Sequence, residues 1–231
     1  MSEITPAEWT AILLSLRVAV IATLVATPFG VALAFLLARR DFWGKSILDA
    51  MVHLPLVLPP VVTGYLLLLA LGRRGFLGAW LADHLGIVFA FRWTGAALAC
   101  GIMSFPLLVR PIRLSIEAVD RRLEQAAGTL GAAPWRVFLT VTLPLALPGV
   151  LAGMVLGFAK AIGEFGATIT FVANIPGETQ TIASAVYALI QTPTGDREAA
   201  QLIVVSMILA FGALLLSEWF ARRAVARMRG D

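Results

Sequence analysis

Residues 18–38 contain no charged side chain and close on Arg39-Arg40. A helix needs about 20 mostly apolar residues to cross the hydrocarbon layer of a bilayer, and this run is long enough. It does not stand alone. Residues 50–72 are apolar apart from His53 and end at Arg73-Arg74, residues 93–109 end at Arg110 and Pro111, residues 137–159 carry no charge, and residues 199–217 precede a basic tail. A soluble fold would have to hide every one of these runs. The composition makes that impossible at this size: 59% of the residues are hydrophobic and 14% charged, with a mean hydropathy of +0.88. Soluble domains are nearer ~45–50% apolar and ~25% charged. The chain is expected to be an all-α polytopic membrane protein, with lipid as the neighbour of most of its surface.

Five spans are expected. Pro144 and Pro148 split the fourth run. The expected fourth span therefore begins near residue 148 and passes Lys160 and Glu164 to about residue 173. Asp83 and His84 interrupt residues 75–91, which read as a short helix at the membrane surface or re-entrant between other helices. A sixth span there is the alternative. One membrane domain over residues 12–217 is expected, with residues 1–11 outside the cell membrane and residues 218–231 as a basic cytoplasmic tail. The opening MSEITPAEW holds Glu3 and Glu8 and no base, the wrong charge for a cleavable signal peptide. The single cysteine, Cys100, excludes a disulfide framework within the chain and reads as a small packing residue.

Basic residues near span ends favour the cytoplasm. With five spans and the C-terminus inside, the inner segments hold Arg39, Arg40, Lys45, Arg110, Arg113, Arg121, Arg122, Arg136, Arg222, Arg223, Arg227 and Arg229. The outer segments hold Arg73, Arg74, Arg92 and Arg197. This asymmetry sets the N-terminus outside and the C-terminus inside, with Arg17 snorkelling outward from the first span. One inner loop, residues 114–147, then stands out by its length. Long loops in compact proteins are usually functional or disordered, and the spaced Ala, Gly and Pro of this one argue against disorder.

The centre of that loop reads LEQAAGTLGAAPWRVFLTVTLPLALPG over residues 123–149. Residues 123–130 are helix formers. Gly131 permits a turn through positive φ, and Pro134 suits the first turn of a second helix. Trp135, Phe138 and Leu139 fall at i, i+3 and i+4, on one apolar face. Pro144 and Pro148 are expected to end the segment. The result is a helix–turn–helix knob whose apolar face suits a groove on another protein.

Its spacing is specific: Ala126-Ala127, three residues, Gly131, nine residues, Val141, one residue, then Leu143-Pro144. This resembles the EAA loop of binding-protein-dependent ABC importer permeases, with Gln125 at the position of the motif's glutamate and Glu124 just before it. In that family the loop forms a coupling helix seated in a cleft of the ATPase subunit. The resemblance implies a type I importer transmembrane domain and assigns Glu124, Gln125, Ala126, Ala127, Gly131, Pro134, Trp135, Leu143 and Pro144 to ATPase coupling. Residues 157–193, with GEFGAT and NIPGETQT, resemble the molybdate permeases; GEFGAT is similar in the sulfate permeases. A homodimer, two ATPase subunits and an extracytoplasmic oxyanion-binding protein are the implied partners, with no role for nucleic acid.

The chain has no G-x-x-x-x-G-K-[ST] phosphate loop. ATP and magnesium are therefore expected on the partner ATPase, with no catalytic residue, metal site or cofactor in this chain. Its two histidines, His53 and His84, are far apart in sequence. Lys160 and Glu164 sit at i, i+4, and a charge within a membrane costs ~2.5–3.5 kcal/mol on insertion scales. They read either as a mutual ion pair or as a positive element beside the path of a dianion, with Thr168, Thr170 and Asn174 as further lining. Gly149, Gly153 and Gly157 form a stripe that lets helices approach closely, either within one subunit or across a dimer. Tight selection of the anion is not expected here, since in this importer class it resides in the binding protein.

Overall fold

The computed structural model describes residues 5–193 and 195–229. Residues 1–4 and the side chains of residues 217, 218 and 220–229 lie outside that description, and with them Arg222, Arg223, Arg227 and Arg229 of the basic tail. All regular structure among the described residues is helical. Helix α1 (Pro6–Arg39) opens on a capping box: the Glu8 carboxylate accepts from the Thr5 N–H at 2.6 Å, and the Thr5 hydroxyl accepts from the Glu8 N–H at 3.3 Å. The expected span over residues 18–38 is thus the inner part of a longer helix.

The expected second span is broken. Helices α2 (Lys45–Val57) and α3 (Pro60–Leu71) meet at 112°. Pro59 and Pro60 together explain the break. Neither has an N–H to donate, and each disfavours helical backbone in the residue before it; Leu58 and Pro59 are extended, with ψ of 143° and 132°. Helix α4 (Phe76–Leu85) has only 10 residues. At 1.5 Å per residue it covers about half of a ~30 Å hydrocarbon layer.

Helix α5 (Trp93–Glu117) runs on through Pro106 and Pro111 instead of ending at Arg110. A proline removes one backbone bond of the ladder, and the full burial of Ile112 and Ile116 in the core outweighs that loss. The fourth span also differs from expectation. Helix α6 (Arg121–Thr129) and helix α7 (Pro134–Val137) are followed by a π-helical turn (Phe138–Thr142) and helix α8 (Leu143–Ile162). The stretch from Pro134 to Ile162 is one apolar helix, crossing Pro144 and Pro148. The Leu143 N–H reaches back to the Phe138 carbonyl, an i→i−5 bond, so the ladder changes register just before the first proline.

Beyond α8 lie helix α9 (Gly166–Val172), helix α10 (Ile182–Leu189) and helix α11 (Asp196–Arg229). Among the described residues four helical stretches are long and apolar enough to cross a membrane, and the bent pair α2–α3 counts as a fifth if its two halves make one span. The core lies where α1, α5 and α8 meet. One end is filled by residues such as Val18, Cys100, Met103 and Phe171, the other by Ala34, Leu108, Ile112 and Val150. A third cluster joins α1 to α10 and α11, where Ser15 accepts the Ile182 N–H at 2.7 Å.

Candidate functional site

The knob forms where the loop sequence places it. Asp120 caps α6 by accepting the Arg122 N–H at 2.9 Å. Gly131 turns the chain with φ +87°, and Pro134 opens α7 in its first turn. Leu130 is 89% exposed and Trp135 62%; Leu123 and Leu139 are exposed beside them, as are Gln125, Ala126 and Pro134. Phe138 does not share that outer face. It turns inward, edge-on to Phe35 of α1 with ring centroids 4.8 Å apart. Val137 is buried as well. Ala127 is half-buried, Leu143 packs on the core and Pro144 is exposed at the base of α8.

Glu124 also points inward. One of its oxygens, Oε1, accepts from Arg39 Nε at 3.1 Å, Arg39 Nη2 at 2.9 Å and the Thr142 hydroxyl at 2.6 Å. This carboxylate is consumed within the chain, whereas Gln125 beside it is exposed, as are Arg121 and Arg122. Close by, Arg113 on α5 bonds Asp49 of α2 at 2.9 Å and Glu117 at 2.8 Å. Charge-assisted bonds thus tie the end of α1 to the knob, and α2 to α5. Arg17 lies instead over the ring of Trp93, 3.8 Å from its centroid, joining α1 to the start of α5.

A second polar centre sits at the corner between α8 and α9. Lys160 donates to Glu164 at 2.6 Å. Glu164 lies past the end of α8, its side chain 1% exposed, and its other oxygen accepts the Ala167 N–H at 3.0 Å. It therefore caps α9 while neutralising Lys160. Thr168 is buried and donates to the Phe165 carbonyl at 2.9 Å; Thr170 donates to the Gly166 carbonyl at 2.8 Å. Each of these hydroxyl hydrogens is spent on its own helix. Glu164 and Thr168 are both buried. Lys160 and Asn174 remain half-buried, and Asn174 Oδ1 is a buried acceptor without a partner.

The glycine stripe faces α5 of the same chain. A Cβ on Gly153 would lie 2.5 Å from the Leu108 carbonyl oxygen, and one on Gly149 would strike Ser115. At Gly157 the nearest atom would be 3.6 Å away. A cavity of about 660 Å³ lies between α1, α2 and α5. Its lining is Phe29, Met51, Leu98, Phe105 and similar residues, with Thr94 and Trp93 the side chains able to donate a hydrogen bond. Such a surface suits hydrocarbon and offers a dianion almost nothing. No cluster of three or more metal-ligating side chains occurs among the described residues.

A family model described as binding-protein-dependent transport system inner membrane component matches residues 26–230. The chain belongs to this family. The permease is 62% identical to the molybdenum transport system permease protein ModB of Escherichia coli (strain K12), over 95% of this chain and 96% of that protein. It is 34% identical to the sulfate transport system permease protein CysT of the same strain, over 90% of this chain and 76% of that one. Its fold matches a bacterial alginate ABC transporter solved in complex with an alginate pentasaccharide-bound periplasmic protein. That match has a TM-score of 0.74 at 17% identity and covers 95% of this chain and 80% of that chain. The fold is that of the type I ABC importer transmembrane domain.

Sequence reading missed three residues of the knob's attachment. In the sequence Arg39 stands out only as a basic residue at a span end, and neither Thr142 nor Phe35 carries any mark of a contact between the knob and α1. The available signal was Glu124, the one carboxylate in residues 123–149.

Proposed function

We infer that the permease is the membrane subunit of an ATP-driven importer of molybdate. The observation that carries the cargo is the 62% identity to a molybdenum transport permease over nearly the whole of both chains, against 34% for a sulfate permease. Sulfate or tungstate is the competing cargo. The permease is not an enzyme. ATP and magnesium bind to separate ATPase subunits, which grip the knob through Leu130, Trp135 and the exposed edge of α6. An extracytoplasmic oxyanion-binding protein docks on the opposite side, and the periplasmic protein in complex with the alginate transporter supports this arrangement.

The knob faces the cytoplasm and the N-terminus lies outside, as the distribution of basic residues supports. Two copies of the chain enclose the pathway, and the face of α2–α3 carrying Val61, Tyr65, Leu66 and Leu69, exposed on a single copy, is open to the second. The anion passes the α8–α9 corner, where Lys160 adds positive field and Asn174 a polar atom. Transport is alternating access: ATP closes the ATPase pair, the knobs follow, and the helices open outward. This works only if the closed ATPase favours one membrane conformation over the other.

Uptake in cells lacking the native subunit and supplied with this one tests the cargo. Excess unlabelled molybdate should abolish uptake of labelled molybdate, and equal excess sulfate should leave most of it. Equal inhibition by both would remove molybdate as the assigned cargo. Co-purification with the ATPase tests the docking, and Leu130→Asp should abolish it.

A further inference from the structure

We propose that Arg39 is the positioning residue through which movement of the knob is transmitted to α1. The proposal rests on the knob being the docking element for the ATPase, and asks how its displacement reaches a helix that is remote in the chain.

The knob is covalently joined to α5 on one side and to α8 on the other. Helix α1 is joined to it only through side chains. Arg39, in the last turn of α1, holds three segments at once. Its Nη2 donates to the Val119 carbonyl in the link between α5 and α6 at 3.0 Å, and its Nε and Nη2 both reach Glu124 of α6. Glu124 extends the chain of contacts to the π-helical turn through Thr142. One turn earlier on the same face of α1, Phe35 meets Phe138.

The burial of this group separates it from a surface ion pair. The Arg39 side chain is 8% exposed, Glu124 19%, and Thr142 is fully buried. Three donors converge on one carboxylate oxygen, and the fork of a guanidinium fixes their direction as an ammonium would not. A push on α6 therefore cannot be absorbed by side-chain swivel without breaking the buried Arg39–Glu124 ion pair. It has to move the end of α1. Because α1 packs along α5 and α8 on its way across the bundle, the displacement enters the part of the fold that must rock.

The test uses the complete transporter, with ATPase and binding protein, reconstituted in liposomes. The readout is uptake per ATP hydrolysed, which a loss of folded protein alone does not alter. Arg39→Gln should assemble with the ATPase in normal yield, hydrolyse ATP and lower that ratio by about ten-fold, a size typical of coupling between sites. Arg39→Lys should recover part of it. Combining Arg39→Gln with Glu124→Gln should be no worse than either alone. An unchanged ratio in Arg39→Gln, or strictly multiplicative losses in the double variant, would overturn the proposal. If Arg39→Gln does not accumulate, Glu124→Gln and Thr142→Val carry the same test; failure of all three to accumulate assigns the group to assembly and overturns it too. Leu130→Asp separates the two readings. If it retains the ATPase, the docking reading falls. If it loses the ATPase while Arg39→Gln keeps a normal ratio, only the transmission through Arg39 falls.

Discussion

Replacing Gly153 by alanine adds a single methyl group at a close backbone contact between α8 and α5. The new Cβ would stand 2.5 Å from the Leu108 carbonyl oxygen and 3.1 Å from Ile112 Cγ1. A carbon–oxygen contact settles at ~3.3 Å, so α8 and α5 must part by roughly 0.8 Å. The opposing atom is backbone inside a buried helix, so it cannot swing aside. Overpacking of this kind costs about 1–3 kcal/mol, less the ~0.5–1 kcal/mol that alanine gains over glycine in a helix interior. The control is one turn on, where a Cβ at Gly157 would meet nothing closer than 3.6 Å. Gly157→Ala should therefore be neutral or slightly stabilising. The assay is the midpoint of thermal aggregation of each detergent-solubilised variant, followed by size-exclusion chromatography. Gly153→Ala should melt several degrees below the parent and Gly157→Ala at or above it. Identical midpoints for the two variants would show that the stripe does not set the α5–α8 distance.

Three further outcomes follow from other contacts. Lys160→Met strands the buried Glu164 carboxylate, a loss of about 3–5 kcal/mol; adding Glu164→Gln should restore much of the complex yield, and a double variant as poor as the single one would contradict the pairing. Gly131→Ala forces a side chain into φ +87° with open space around it. The cost is therefore strain alone, about 1–2 kcal/mol. Protease cleavage within residues 129–134 should speed up while cleavage elsewhere is unchanged, and equal rates at both places would refute it. Arg113→Gln frees Asp49 and Glu117, all three partly exposed, so the loss should stay within ~1 kcal/mol; a collapse of folded yield would show a role beyond tying α2 to α5.

The long elements were legible because their signal is redundant. Uncharged runs mark α1, α5 and α11 whatever their neighbours do, and the Gly131 turn and Pro134 start of α7 follow from backbone rules that operate locally. Prolines were the source of most errors. Pro59-Pro60 break a helix because two donors are lost in succession at a poorly buried site. Pro111 and Pro148 do not, because burial on both sides holds the ladder in place. That difference lies in tertiary contact, which a single sequence does not display. The same holds for the partners of Glu124 and Thr168: residue type does not reveal that one pairs with a side chain 85 positions away or that the other donates to a carbonyl three residues back.

The π-helical turn between the knob and α8 has a consequence for how the two are aimed. A helix advances about 100° per residue, so the one additional residue accommodated at Phe138–Thr142 decides which compass bearing Trp135 and Leu130 take relative to the flank of α8 that rests on α5. Deleting one residue there would keep every flanking sequence intact and swing the protruding tip by more than a quarter turn. A matching ATPase surface would then find the wrong side of the lever.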